Sequence, residues 1–120
     1  MSAFTGFSLG IVTENQNRIQ KAEKLASILV EHLPAVRNFD IQKYNKLPGS
    51  YRIELEGIFQ TQNHIKESIQ ITDSICSPWM VMYDRDSTNI ELIFNTSESG
   101  QFEFKEFNVI RWAHFQVIIG

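Results

Sequence analysis

The residues of this chain that could do chemistry are few, and they are scattered. Cys76 is the only cysteine, and the three histidines are His32, His64 and His114. A single thiol excludes an intramolecular disulfide framework and any multi-cysteine zinc site. The histidines are not paired as H-x-x-x-H, so neither spacing nor residue type indicates a metal. A dyad assembled in space from Cys76 and one histidine is the catalytic alternative. A buried structural thiol is the expected reading.

Two carboxylate pairs come next. Glu54 and Glu56 lie two apart in a segment that reads as a strand, so they share a face about 7 Å from each other, a separation compatible with hydrolytic acid and base. Arg52 shares that face, and alternating charge of this kind is expected on a solvated sheet surface. Asp84 and Asp86 in DRDST offer oxygens to a cation, but short polar side chains there also initiate a turn. Gly6 and Gly10 match neither G-x-G-x-x-G nor a P-loop, which disfavours nucleotide binding. No cofactor is expected, and the chain does not read as an enzyme.

The segment VIRWAHFQV, residues 109 to 117, sets an arginine, a tryptophan and a histidine inside an apolar strand. Strand alternation puts Val109, Arg111, Ala113, Phe115 and Val117 on one side and Ile110, Trp112, His114, Gln116 and Ile118 on the other. Arg111 is thereby separated from Trp112 and His114. Both faces are largely apolar, so the side away from the helices must be covered or serve as a partner surface. The structural alternative packs Trp112 on a neighbouring hairpin, pairs Arg111 with Glu91 or Glu103, and leaves His114 as an edge residue.

The elements that position these groups can be read from periodicity. Phe7, Leu9 and Ile11 alternate with Ser8, Gly10 and Val12, which predicts a strand. Thr13 offers an N-cap to a helix in which Ile19, Ala22, Leu25, Ala26, Leu29 and Leu33 recur at helical spacing, ended by Pro34. Phe39 and Ile41, then Tyr51, Ile53 and Leu55, predict two strands joined by the Pro-Gly turn of NKLPGS. Ile65, Ile69, Thr72 and Cys76 mark a second helix closed by Pro78. WMVMY is apolar on both faces and predicts a central strand. NIELIFN follows as a strand, and QFEFKEFNVIRWAHFQVII as a long strand or strand pair with a bulge or break near Lys105 to Asn108, where Phe107 falls out of phase with Phe102 and Phe104. The expected fold is α+β: two helices on a mainly antiparallel sheet, a ferredoxin-like βαββαβ core with a C-terminal β-hairpin extension.

At 120 residues and 42% hydrophobic content, residues 1–120 are expected to form a single domain around one core. No apolar run approaches the roughly 20 residues of a membrane span, and the N-terminus lacks the basic and apolar regions of a cleaved signal, so a cytoplasmic location is expected. The formal net charge is -3, but residues 84 to 106 hold six acids (Asp84, Asp86, Glu91, Glu98, Glu103, Glu106) against Arg85 and Lys105. Such a segment repels nucleic acid and attracts a basic surface. No RNP-type pattern accompanies the nine phenylalanines, so RNA binding is not expected either.

A small, mildly acidic α/β chain without catalytic apparatus, ending in NIELIFN, an acidic turn and VIRWAHFQV, resembles the immunity proteins of bacterial polymorphic toxin systems, in particular contact-dependent growth inhibition. The resemblance implies a cytoplasmic protein that binds and neutralises a cognate toxin C-terminal domain, often a nuclease. A nuclease site is basic because it holds phosphates, and an acidic protein can cover it. On that reading Asp84, Asp86, Glu91, Glu98, Glu103 and Glu106 supply steering and polar contacts, and Tyr83 and Trp112 are the anchors. The competing readings are a small enzyme or ligand binder using a cleft beside the sheet, and a self-associating structural module.

Overall fold

The structure, a computed structural model, describes residues 5–14, 18–83, 90–95 and 100–119. In chain order the strands are β1 (Thr5–Thr13), β2 (Val36–Lys43), β3 (Tyr51–Ile58), β4 (Cys76–Ser77), β5 (Met80–Tyr83), β6 (Ile90–Asn95), β7 (Gln101–Phe102) and β8 (Ile110–Ile119). Helix α1 (Ile19–His32) follows β1, α2 (His64–Asp73) follows β3, and a 3-10 turn (Lys105–Val109) leads into β8. The fold is α+β. Six strands form one sheet in the order β2-β3-β1-β8-β6-β5, with every neighbouring pair antiparallel, while β4 and β7 pair separately.

Alternation decides which side of the sheet is covered. Phe7, Leu9 and Ile11 of β1 are essentially inaccessible and face Ile53 and Leu55 on β3 and Phe115 and Ala113 on β8. The same core takes in Leu25, Ala26 and Leu29 of α1 and Ile71 and Ile75 from α2 and its end, so both helices lie on this one side. At its centre the Phe7 ring stacks on Phe115 with centroids 5.0 Å apart and tilts against Phe59 at 5.4 Å. Gly57 belongs to this layer because only hydrogen fits. A Cβ there would stand 2.5 Å from the Ala35 carbonyl oxygen and run into the Phe7 ring.

The Pro-Gly turn between β2 and β3 forms as expected. Gly49 takes φ 79°, a left-handed conformation that glycine adopts without strain, and the Ser50 N–H donates to the Leu47 carbonyl at 3.0 Å. It closes a hairpin whose register sets Asp40 opposite Glu54 and Gln42 opposite Arg52.

Several expectations are corrected. Thr13 does not cap α1: it remains in β1, where its hydroxyl donates to the Tyr51 carbonyl at 3.4 Å and accepts the Tyr51 N–H at 3.2 Å. The helix begins at Ile19 after an extended Arg18, with no side-chain cap. In α2 the buried residues are Glu67, Ser68, Ile71 and Thr72; of the expected stripe Thr72 is buried, Ile65 is half-buried, Ile69 is exposed, and Cys76, though buried, lies beyond the helix in β4. Small hydroxyl residues can face the core here because they bond to the preceding turn, Ser68 to the His64 carbonyl and Thr72 to the Ser68 carbonyl.

The largest correction concerns the last three strands of the main sheet. β5 was expected at a central position and the hairpin extension at the C-terminal end; instead β5 is an edge strand, and the C-terminal strand β8 sits between β1 and β6. Length and burial explain the exchange. A central strand satisfies its backbone groups on both sides, and β8 spans ten residues with Ala113, Phe115 and Val117 buried, whereas β5 spans four with Met80 64% exposed. His114 therefore lies on an inner strand, not at an edge. The expected break near Lys105 to Asn108 is the 3-10 turn, which tucks Phe107 fully into the core.

Candidate functional site

The other side of the sheet carries no described helix. Cross-strand register arranges its residues in transverse rows, because directly opposed residues project to the same side. One row runs Asp40, Glu54, Gly10, His114, Ile93 and Met80. The row toward one end of the strands runs Asn38, Glu56, Ser8, Gln116, Glu91 and Met82, and the row toward the other runs Gln42, Arg52, Val12, Trp112 and Asn95.

Charge divides this face. Among the described residues Asp40, Glu54 and Glu56 stand near Arg52, while Glu91 lies on β6 and Arg111 lines a depression with Trp112. Arg52 folds over Gly10 toward Glu54, and its Nε forms an ion pair with Glu54 Oε1 without the angle of a hydrogen bond. Glu54 nevertheless has Asp40 directly opposite, a like-charge pairing that disfavours the sheet. Asp40 accepts from Gln42 Nε2 at 2.9 Å, and Glu91 Oε1 lies 3.9 Å from His114 Nε2.

The β8 and β5 side is less polar. Trp112 and His114 project together, their ring centroids 6.0 Å apart, and both remain part-exposed. Beside them Met80 and Met82 are exposed on the edge strand. Val12 is buried, in a depression lined also by Tyr44, Leu47, Asn95, Arg111 and Trp112, so Arg111 comes to lie beside Trp112 rather than apart from it. The face thus joins three carboxylates at the β2 and β3 edge to aromatic and thioether surface, with Glu91 among it, at the other.

The residues singled out in the sequence distribute unevenly. Glu91 and Trp112 lie on this face. Tyr83 ends β5 opposite Ile90, with its side chain outside the description, and Asp84, Asp86 and Glu98 lie outside the described residues. Glu103 and Glu106 are exposed on the helix side: the Glu103 N–H donates to the Ile75 carbonyl at 3.0 Å, and Glu106 lines a cleft against α1. The acids of this segment therefore do not share one surface. Asp40, Glu54 and Glu56 share the face with Glu91 from the far side of β1 and β8. The period-two spacing of Arg52, Glu54 and Glu56 signalled a common face, but joining Asp40 and Glu91 to it required the strand order.

Among the described residues, Cys76 and the histidines outside this face are each held by packing or hydrogen bonds. Cys76 is 2% exposed, and burial, with Asp73 nearby, pushes its thiol up to about 12, so it stays protonated at neutral pH. His32 shares a 2.9 Å hydrogen bond with the Ser74 carbonyl and packs on Phe104 and Phe107, while His64 stacks on Phe59. Glu67 borders a cleft of about 250 Å³ with His32, but its carboxylate accepts from the backbone of Gln60 and Thr61 and from the Thr61 hydroxyl. That carboxylate holds the loop before α2. Among the described residues no group of three or more His, Cys, Asp or Glu could hold a metal ion, and no described helix is long and apolar enough to cross a membrane. No protein-family model, curated protein or solved structure matches the chain.

Proposed function

We propose that this chain is an immunity protein that binds and neutralises a cognate bacterial toxin domain, a basic nuclease being the best chemical fit, and that the uncovered sheet face is its binding surface. The observation that supports the reading is one face that carries four carboxylates, Asp40, Glu54 and Glu56 near Arg52 and Glu91 three strands away beside His114, and is bordered by Trp112, Met80 and Met82. Sign decides against nucleic acid, since a face of net negative charge repels phosphates. The same sign accelerates encounter with a basic surface. Trp112 supplies the anchor, for buried aromatic residues dominate interface energies.

Size is compatible. Five gaps of about 4.8 Å make the sheet about 24 Å wide, and a nine-residue strand runs about 30 Å, giving a plane of roughly 700 Å². A stable complex covers about 800 Å² per partner. Segment 84–106 contributes Glu91 to this face, with Tyr83, Asp84, Asp86 and Glu98 nearby in the chain. We read β2-β3-β1-β8 with α1 and α2 as a ferredoxin-like unit in which the β5 and β6 hairpin is inserted before the last strand rather than appended after it. The protein acts in the cytoplasm on this reading, and it performs no catalysis.

The test is co-purification from the native locus together with a protection assay in cells expressing the neighbouring toxin. The expected result is a stoichiometric complex and survival, with both weakened by the triple change Asp40→Lys, Glu54→Lys and Glu56→Lys. Absence of any complex or protection for the unaltered chain overturns the function. Full protection by the triple variant overturns the surface assignment.

A further inference from the structure

On the helix side lies a cleft of opposite character. It has a volume of about 340 Å³ and is lined by Lys21, Lys24, Leu25 and Ile28 of α1 and by Lys105, Glu106, Asn108 and Val109 of the 3-10 turn. We propose that this cleft binds a small amphiphilic anion, its phosphate or carboxylate head among Lys21, Lys24 and Lys105 and its apolar body on Leu25, Ile28 and Val109.

Helical spacing builds the arrangement. Lys21 and Leu25 are four apart, as are Lys24 and Ile28, so each ammonium stands one turn from an apolar side chain on the same flank of α1. Leu25 is buried, and Ile28 and Val109 are partly buried against the core, which gives the cleft an apolar floor below its cationic rim. The rim sets three cations against one carboxylate, Glu106, in a chain whose formal net charge is -3. Its volume falls in the small-molecule range of about 300 to 1,000 Å³.

A second observation makes the cations conspicuous. Lys21 lies in the first turn of α1, which holds no acidic residue and follows Arg18, an N-cap without a side-chain bond. Helix N-termini favour negative charge, so cations placed there disfavour the helix. Among the described residues the contact ion pairs are Arg52 with Glu54 and His114 with Glu91, so none of the three lysines is in a contact ion pair with a described carboxylate, and Glu106 balances only one of their charges. A bound anion would balance the remaining charge.

Nuclear magnetic resonance titration of the full chain with hexyl phosphate, inorganic phosphate and hexanol tests the proposal. Hexyl phosphate is expected to bind saturably, at least tenfold tighter than either half alone, with shifts centred on Lys21, Leu25, Ile28, Lys105 and Val109. The triple change Lys21→Gln, Lys24→Gln and Lys105→Gln should weaken it at least tenfold; Lys24→Gln and Lys105→Gln alone, each at an exposed side chain, should weaken it less and in proportion. Equal binding of inorganic phosphate or hexanol, shifts centred elsewhere, no saturable binding, or binding only to anionic vesicles would each overturn it. The cleft does not depend on the sheet face, so toxin capture is expected to survive all three lysine changes.

Discussion

The two sides of this sheet are built from the same strands, yet they have opposite chemistry. On β8, Ala113, Phe115 and Val117 are sealed beneath α1 and α2, while the intervening Trp112, His114 and Gln116 stay part-exposed on the face that carries Asp40, Glu54, Glu56 and Glu91. One side supplies stability and the other is left free to carry charge. The division is testable at neighbouring residues. Phe115→Ala removes a ring packed on Phe7 and Phe59 and is expected to cost about 3 to 5 kcal/mol in urea unfolding. His114→Ala, one residue away, should change stability by only about 0.5 kcal/mol, the usual range for a surface substitution. Comparable losses at both positions would mean that the open face is also a packed interior.

Glycines offer the same contrast at smaller scale. At Gly57 a methyl group meets backbone, the Ala35 carbonyl, which cannot withdraw without breaking its 3.1 Å bond from the Ile58 N–H. Gly57→Ala should destabilise by about 1 to 3 kcal/mol or more. At Gly10 the methyl would meet only side-chain ends, Arg52 Nη2 at 3.2 Å and Glu54 Oε1 at 3.3 Å. Those can swing aside, and alanine suits a strand interior better than glycine by roughly 0.5 to 1 kcal/mol. Gly10→Ala should therefore be neutral or mildly stabilising in thermal melts.

Cys76 tests the covered side by pH. Its folded thiol is held at about 12 against an ordinary 9.0, so the unfolded chain ionises first as pH rises. The stabilisation from keeping this thiol neutral is complete below about pH 9 and lost between there and about pH 12. The stability difference between the parent chain and Cys76→Ala should shrink across that window. Thiol labelling at neutral pH should follow global unfolding, and rapid labelling of the folded protein would contradict the burial.

How much of this could be read from the sequence depended on how far apart the interacting residues are. β1, the apolar stripe of α1 and the Pro48-Gly49 turn were legible because each rests on contacts between residues a few positions apart. The start of α1 was not, because Thr13 is held by Tyr51, 38 residues away. β5 looked central from its composition, but only competition with β8 for the place beside β1 determines which strand goes to the edge. The site suffered most from this. Acids contiguous in segment 84–106 part to opposite sides of the sheet at Glu91 and Glu106, whereas Asp40, Glu54 and Glu91, spread over 52 positions, come to one face.

The smallest expected effect separates stability from function most sharply. Asp40 and Glu54 oppose each other across β2 and β3, and like charges so placed cost roughly 0.2 to 1 kcal/mol. Arg52 relieves Glu54 but lies opposite Gln42, one row away from Asp40. Asp40→Asn keeps the shape and the bond from Gln42 while removing the repulsion, so it should raise the urea midpoint slightly. If the face exists to meet a basic partner, the same change should slow association, and the deficit should vanish at high salt, where exposed charges are screened beyond about 3 Å. A variant that is both more stable and equally fast to associate would leave the repulsion without a function and remove Asp40 from the binding surface.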